Sequence, residues 1–382
     1  KPTDLAAILF TSGSTGVPKG VEYQHRHFLA QVDLIRDAYD IQPGEVDLPT
    51  FPLFALFDPA LGMTTVIPKM DFTRPASVDP AHLFDIAERF GATNMFGSPA
   101  VLNTVGRHVQ KTGAKLDTLT RVISAGAPVP GPIMQRFLDG LPAGAQVHTP
   151  YGATENLPVA TLDSGAILGE TWAKSEAGAG VCVGRPVAPN DVRVIRITDE
   201  AIPTWSDDLE VAPGEMGEIT VLGPTTTERY YGRDASTALA KIQHSDGRLR
   251  HRMGDLGYLD AQGRIWFCGR KSHRVRAAHG DMYTVACELP FNAHPAVFRS
   301  ALVGVGAPGQ QTPVLIIERE PDGPQPAWDG LVADLKASAA RYEHTRPIER
   351  FLEHGPFPVD IRHNAKINRP QLAQWAARQP VA

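Results

Sequence analysis

The stretch ILFTSGSTGVPKG, residues 8–20, joins an apolar run to a loop rich in hydroxyl groups and glycine. Its glycines let the backbone approach an anion and turn amide groups toward it, and Lys19 adds a positive charge at the end of the loop. The apolar AAILF before the loop predicts a buried strand that leads into it. The stretch therefore predicts a strand followed by a phosphate-binding loop. The loop residues are Thr11, Ser12, Gly13, Ser14, Thr15 and Gly16.

This loop differs from the phosphate loop of the common NTPases. That loop needs a glycine directly before its lysine and a Ser or Thr directly after it to reach magnesium, whereas Pro18 and Gly20 flank Lys19 here. The alternative, a Ser- and Gly-rich linker, leaves the apolar run before the loop without a role. We therefore expect a phosphate site of another class.

Five further segments carry a resemblance to a known family. They are SAGAPV at 124–129, YGATE at 151–155, GEMGEI with GP and YYGR at 214–233, MGDLGYLD at 253–260 with GRIWFCGR at 263–270, and NAKINR at 364–369. In this order and at these separations, the chain resembles the adenylate-forming superfamily of acyl-CoA synthetases, luciferases and peptide-synthetase adenylation domains. One segment alone would be weak support, but together they extend over the whole chain.

The resemblance implies the α/β fold of the adenylating enzymes. We expect a large ATP- and acyl-binding domain at 1–270, with helix-covered, mostly parallel sheets and a β-rich subdomain from about residue 181. A small, mobile α+β C-terminal domain would follow at 271–382, with the hinge at Lys271 or Ser272. Alternating apolar runs and amphipathic stretches, such as 80–90 and 131–139, agree with this fold. Family members carry a subdomain before the loop, so we expect the N-terminal part of the large domain to be missing.

The resemblance also implies a site for ATP and Mg²⁺. Tyr151 would lie against the adenine, Thr154 would donate to the α-phosphate, and the catalytic Glu155 would be the ligand of the metal. Asp255 would accept the ribose hydroxyls, and Arg270 would bridge ribose and phosphate. Further nucleotide contacts would come from Gly126, Ala127, Gly152, Lys19 and the loop residues 11–16.

Lys366 is the residue that we expect to be central to adenylation. In the family, the lysine of this C-terminal motif neutralises the charge that develops on the α-phosphate while pyrophosphate departs. A lysine near a C-terminus is usually solvated, but Pro358 and Arg369 lie at the offsets of the family pattern. Ala365 stands where the family usually has glycine.

The segment FPLFALFD at 51–58 resembles the part of acyl-CoA synthetases where an aromatic residue and a histidine gate the acyl pocket. Phe54 and Ala55 stand there, so we predict that they line the acyl pocket. The phenylalanines of the segment do not form one helical stripe, and core packing remains an equal alternative. In the loop at 280–282, an acidic residue and a thioether suit an anionic CoA poorly.

Longer segments resemble the β-lactone synthetases of bacterial olefin biosynthesis. They are YGATENLPVA, EAGAGVCVGRPV, GRKSHRV and FPVDIRHNAKINR. This implies a 2-alkyl-3-hydroxy fatty acid that is adenylated by ATP and whose own hydroxyl then closes a β-lactone and expels AMP. It also implies assembly with other olefin-pathway enzymes. The base for the closure stays open among His148, His273, His279 and the AMP phosphate.

Two other functions remain open from the sequence. One is a long-chain fatty acyl-CoA or acyl-AMP ligase, which would accept acids without a 3-hydroxyl. The other is a non-catalytic nucleotide-binding scaffold, against which the intact Lys19, Thr154, Glu155, Asp255 and Lys366 argue.

Composition narrows the class of protein. A net charge of -5 and a pI near 6.2, without a basic stripe, argue against a nucleic-acid partner. The 3 cysteines are scattered and lack CxxC spacing, which indicates a reducing compartment rather than disulfides or zinc. We find neither a transmembrane segment nor a signal peptide, and we expect a cytoplasmic enzyme.

Overall fold

The computed structural model describes residues 1–11, 17–359 and 366–380 of the chain. Within them the strands are β1 Leu5–Phe10, β2 Gly20–Gln24, β3 Val46–Pro49, β4 Thr64–Thr65, β5 Asn94–Gly97, β6 Arg121–Ser124, β7 Gln146–Ala153, β8 Asn156–Asp163, β9 Val181–Pro186, β10 Asp191–Ile195, β11 Gly217–Leu222, β12 Lys241–Gln243, β13 Leu249–Leu259, β14 Ile265–Arg270, β15 Val275–Ala277, β16 Gly280–Met282, β17 Val297–Val305, β18 Thr312–Arg319 and β19 Arg350–Glu353. The helices are α1 His25–Tyr39, α2 Asp58–Leu61, α3 Pro80–Phe90, α4 Pro99–Thr112, α5 Gly131–Leu138, α6 Ser164–Ala166, α7 Trp172–Lys174, α8 Asp234–Ala240, α9 Thr284–Asn292, α10 Trp328–Ala339 and α11 Arg369–Ala376.

One 12-stranded sheet organises the larger part of the molecule, in the order β10-β11-β13-β14-β9-β8-β7-β6-β5-β3-β4, with β12 beside β13. The strands from β4 to β7 pair in parallel, and those from β7 to β10 pair antiparallel. The change of pattern predicted near residue 181 falls at the start of β9, although antiparallel pairing already begins with β8. The β-rich strands that follow it extend the same sheet.

Helices α3, α4 and α5 cover the parallel half of this sheet, and their ends follow from local sequence. Asp79 accepts the Ala81 amide at the start of α3, and Gly91 ends that helix with a φ of 61°. Their apolar faces join the sheet in a core that includes Leu83, Leu102 and Phe137. This layer holds the carboxyl ends of β6 and β7, where the predicted nucleotide residues begin.

Strand β1 forms as expected, but the prediction that it is buried is wrong. It pairs with β2 in a 2-stranded sheet. Leu5 is 54% exposed and Phe10 is 56% exposed. Pairing with one neighbour satisfies one edge of a strand but does not cover both of its faces.

The C-terminal part has its own core. Strands β17, β18 and β19 form a 3-stranded sheet, and its residues pack with those of α9 and α10 around Phe291 and Leu335. A 3-10 turn at Lys271–His273 separates this part from β14, at the predicted hinge. In the described ranges, the structure has no helix long and apolar enough to cross a membrane.

Candidate active site

Four of the five segments that carry the family resemblance contribute to one cavity of about 230 Å³, whereas no residue of 214–233 lines it. SAGAPV contributes Gly126 and Ala127, and YGATE contributes Tyr151 and Gly152. The other lining residues that were predicted from the sequence are Asp255, Arg270 and Lys366. Segments hundreds of residues apart therefore place their predicted nucleotide residues around one space.

Asp255 lies at the centre of a hydrogen-bonded group on the wall of this cavity. Its carboxylate accepts the Tyr151 hydroxyl at 2.6 Å and Arg270 Nη1 at 2.7 Å. Burial raises the pKa of Asp255, and the Arg270 guanidinium opposes that rise. Burial also raises the pKa of Tyr151 well above its usual value, so the phenol stays a donor. The carboxylate is thus held in place and still carries lone pairs for further hydroxyl donors.

The backbone leaves little room for a side chain at the two glycines that were predicted to contact the nucleotide. Gly126 has a φ of 101°, a conformation that other residues rarely adopt. A Cβ on Gly152 would lie 2.9 Å from the carbonyl oxygen of Asn156. Larger residues at these two positions would therefore distort the wall of the cavity.

The base of the predicted phosphate loop is closed by paired contacts between its two ends. The Thr11 amide donates to the Lys19 carbonyl at 3.0 Å, and the Lys19 amide donates to Thr11 Oγ1 at 3.1 Å. The predicted contacts of Ser12, Gly13, Ser14, Thr15 and Gly16 lie outside the described residues. Lys19 Nζ lies over the ring of Tyr230, 4.9 Å from its centroid.

Thr154 and Glu155 form the turn between β7 and β8, beyond the lining of the cavity. The Tyr23 hydroxyl donates to the Thr154 carbonyl, and the Tyr230 hydroxyl donates to Glu155 Oε1, both at 2.5 Å. Sequence reasoning missed both tyrosines. A signal for Tyr230 existed, because it belongs to the YYGR segment, whereas Tyr23 follows the loop without a motif of its own.

A buried lysine, also missed, lies beside this turn. Lys241 is 7% exposed, and its Nζ donates to Thr227 Oγ1 at 3.4 Å. Burial lowers the pKa of Lys241 to about 8, while the carboxylates of Glu155 and Glu228 act in the opposite direction. The turn at Glu155 therefore has a titratable amine nearby.

Lys366 lines the cavity from the C-terminal part of the chain, and the residues that follow it are anchored. Ile367 bridges Val359, and the Asn368 amide donates to the Pro358 carbonyl at 2.8 Å. Arg369 Nη2 contacts both carboxylate oxygens of the buried Glu288, at 2.7 and 2.5 Å. These contacts fix the backbone that follows the lysine.

The residues predicted for the hinge lie in the turn Lys271–His273. Lys271 Nζ donates to Glu218 Oε2 and to the Thr198 carbonyl, both at 2.9 Å, so its side chain is tied to the large sheet. Ser272 is exposed. Whether the chain rotates there stays a prediction.

The residues predicted for the acyl pocket lie away from the cavity lining. Phe54 stacks on Phe96, with ring centroids 3.5 Å apart, and packs on a core cluster with Phe51 and Phe57. Ala55 is partly buried within the same 3-10 turn. Core packing, the alternative considered for this segment, therefore accounts for the contacts of Phe54. That Phe54 and Ala55 line an acyl pocket stays a prediction.

Two buried carboxyl groups lie behind this segment. Asp47 is 2% exposed and Asp58 is 3% exposed. Asn94 donates to Asp47, and Thr65 donates to Asp58 at 2.6 Å. Burial and the neighbouring Asp58 raise the pKa of Asp47 to about 8. Such a pair shares a proton at neutral pH.

Of the three histidines considered as a base, none lines the cavity among the described residues. His148 lines a different cavity, against Tyr39. Burial, together with Arg369 and Arg270, lowers the pKa of His273 to about 3, and a group with that pKa is a weak base. His279 is exposed in the turn between β15 and β16.

Comparison with known proteins places these features in a family. The sequence profile of the AMP-binding enzymes matches residues 1–231, so the chain belongs to the AMP-binding enzyme family. The chain is 58% identical over 382 residues to the olefin beta-lactone synthetase of Xanthomonas campestris pv. campestris, and the alignment covers 99% of this chain and 68% of that protein. It is 54% identical over 383 residues to the olefin beta-lactone synthetase of Stenotrophomonas maltophilia, covering 98% of this chain and 68% of that protein.

Solved structures confirm the predicted fold of the adenylating enzymes. The o-succinylbenzoate CoA synthetase of Bacillus subtilis in complex with ATP and magnesium ion has a TM-score of 0.76 at 21% identity, covering 97% of this chain and 70% of that chain. The amide bond synthetase McbA of Marinactinospora thermotolerans has a TM-score of 0.77 at 24% identity, covering 97% of this chain and 69% of that chain.

Proposed function

We propose that this chain activates a 2-alkyl-3-hydroxy fatty acid with ATP and closes it to a β-lactone, with release of pyrophosphate and AMP. The convergence of Tyr151, Asp255, Arg270 and Lys366 on one cavity supports the adenylation half of the proposal. The 58% identity to an olefin beta-lactone synthetase supports the lactone half.

In the first step, a carboxylate oxygen of the acid attacks the α-phosphorus of ATP, and the bond to pyrophosphate breaks. Asp255 and Arg270 would hold the ribose, which fixes the α-phosphate relative to the acid. Lys366 would stabilise the negative charge that grows on the phosphate oxygens in the transition state.

Mg²⁺ fits the carboxylate of Glu155. The Tyr230 hydroxyl engages one oxygen of this carboxylate, and the second oxygen is a hard ligand of the type that Mg²⁺ prefers. One or two carboxylates with substrate phosphates are a common way to bind this ion. When bound, Mg²⁺ neutralises charge on the phosphates of ATP.

In the second step, the 3-hydroxyl oxygen attacks the acyl carbonyl, and the bond to AMP breaks. Both groups belong to one molecule, so holding them in line replaces a bimolecular encounter. Because no described histidine lines the cavity, we propose that the phosphate of the departing AMP accepts the hydroxyl proton. That assignment makes closure independent of a protein base.

The test uses the purified protein with ATP, Mg²⁺ and a 2-alkyl-3-hydroxy acid, without CoA. We expect one AMP for each β-lactone, with the lactone identified by NMR, and turnover at least about 100-fold slower in Lys366→Ala. The exposed Lys336 of α10 gives a matched control, Lys336→Ala, which should keep full turnover. A thioester that forms only when CoA is added would contradict the proposal and support an acyl-CoA ligase.

The loop at 280–282 does not decide between these two acceptors. Met282 is 5% exposed and belongs to the core of the C-terminal part, so its thioether does not face an acceptor. Asp281 pairs with Arg274 at 2.8 Å, which offsets its charge. The expectation that these side chains would oppose CoA therefore has no support in their contacts. ATP binding without AMP formation under every condition would instead favour the scaffold alternative.

A further inference from the structure

Tyr230 belongs to the YYGR segment, but the sequence assigned it no role in the site. The segment that contains it lies beside β2, the strand that follows the predicted phosphate loop in the sequence. Val21 bridges Tyr230, and the Tyr231 amide donates to the Gly20 carbonyl at 2.7 Å. Because Gly20 follows Lys19, this backbone pairing sets the position of Tyr230 relative to the end of the loop.

The side chain of Tyr230 contacts a charged group on each side. Its hydroxyl donates to Glu155 Oε1 at 2.5 Å, and Lys19 Nζ lies 4.9 Å from the centroid of its ring. The residue is 4% exposed, so water competes little for either contact. Burial and the Glu155 carboxylate raise the pKa of this phenol far above its usual value, so it remains a donor.

We propose that Tyr230 is a positioning residue that orients Glu155 toward Mg²⁺·ATP and links that carboxylate to Lys19 of the phosphate loop. Holding one carboxylate oxygen directs the other toward the metal and removes rotation that a free side chain would lose on binding. This inference rests on the proposed function only in its use of ATP with Mg²⁺. It does not depend on the acid or on lactone formation.

The variant that tests the role is Tyr230→Phe, which removes the hydroxyl and keeps the ring. We expect the concentration of Mg²⁺ at half-saturation to rise about tenfold, as for the loss of one hydrogen bond to a charged group. Calorimetric titration of Mg²⁺ into the protein with ATP measures binding without catalysis. ATP binding in the presence of EDTA and the KM for the acid should stay within about twofold.

Tyr231→Phe is the matched control, because the neighbouring Tyr231 is 61% exposed. It should leave the Mg²⁺ titration unchanged. Tyr230→His keeps a ring with an N–H donor and should recover part of the lost affinity, which a purely structural role would not predict.

Wild-type affinity for Mg²⁺ in folded Tyr230→Phe would overturn the inference. Equal weakening in Tyr230→Phe and Tyr230→His would overturn it as well, because the donor would then be irrelevant. If Tyr230→Phe does not fold, Tyr230→His alone is used as the test. A Mg²⁺ affinity below that of the wild type by less than tenfold would support the inference. Any other affinity would overturn it. Failure of the wild type to make AMP would refute the proposed function, while the Mg²⁺ titration would still test Tyr230.

Discussion

At the nucleotide cavity, Asp255 is held by a tyrosine hydroxyl at 2.6 Å and an arginine at 2.7 Å. In segment 51–58, which was predicted to line the acyl pocket, Phe54 is instead held by stacking on Phe96, and the nearby Leu56 is 71% exposed. Directional hydrogen bonds fix atoms to within a few tenths of an ångström, whereas apolar contacts tolerate exchange of one shape for another. The cavity wall at Asp255 is therefore fixed in geometry, whereas the packing of segment 51–58 tolerates more variation.

The largest effect on this comparison should come from removing the positive charge of Lys366 in the cavity. We expect Lys366→Ala to lower kcat for acyl-adenylate formation by about 100- to 1000-fold, as for other lost transition-state contacts. Pyrophosphate–ATP exchange measures this step alone. Near-normal exchange in this variant would mean that another group stabilises the transition state.

The next largest effect should come from Asp255→Asn. This change removes the negative charge that holds Tyr151 and Arg270, and it weakens acceptance of the ribose hydroxyls. We expect the KM for ATP to rise about ten- to a hundredfold, while the KM for the acid changes little. Comparison with 2′-deoxy-ATP sharpens the test: the variant should lose most of the preference for ATP over the deoxy nucleotide.

A smaller effect should follow enlargement of the acyl segment. We expect Ala55→Leu to lower kcat/KM for a 2-alkyl-branched acid about tenfold relative to an unbranched 3-hydroxy acid, because added methyl groups fill the space near the branch. The KM for ATP should not move. Leu56→Ala, at an exposed position, is the control and should preserve the ratio of the two acids. An unchanged ratio in Ala55→Leu would place this segment in the core only.

The last effect is on stability rather than turnover and concerns the buried Asp47, whose pKa of about 8 lies far above that of an unfolded aspartate near 4. The folded chain therefore binds more protons than the unfolded chain between these pH values, and its free energy of unfolding falls as pH rises from about 4 to about 8. Asp47→Asn should flatten this slope by up to about 1.4 kcal/mol per pH unit. Urea unfolding at several pH values measures it, with the exposed Asp85→Asn as control.

Sequence reasoning predicted the polar, directional parts of the molecule best. Helix α3 and the approximate extent of α5 were predicted because the stretches at 80–90 and 131–139 are amphipathic with helical periodicity. The residues around Asp255 were found because their motifs resemble a family. The partners of the turn at Thr154 and Glu155 were not, since Tyr23 reaches Thr154 and Tyr230 reaches Glu155 from distant segments of the sequence. The exposure of β1 and the stacking of Phe54 likewise depend on what lies across from them, which local pattern does not contain.

The three buried thiols can be used to measure local opening of the structure by their reaction with a thiol reagent. Cys182, Cys268 and Cys287 are 4%, 0% and 1% exposed, and burial raises the pKa of each. A thiol reagent can therefore react only when the structure around a cysteine opens. Cys182 lies in the wall of the nucleotide cavity and Cys287 lies in α9. Their separate labelling rates, with and without ATP, would show how readily each of these two regions opens.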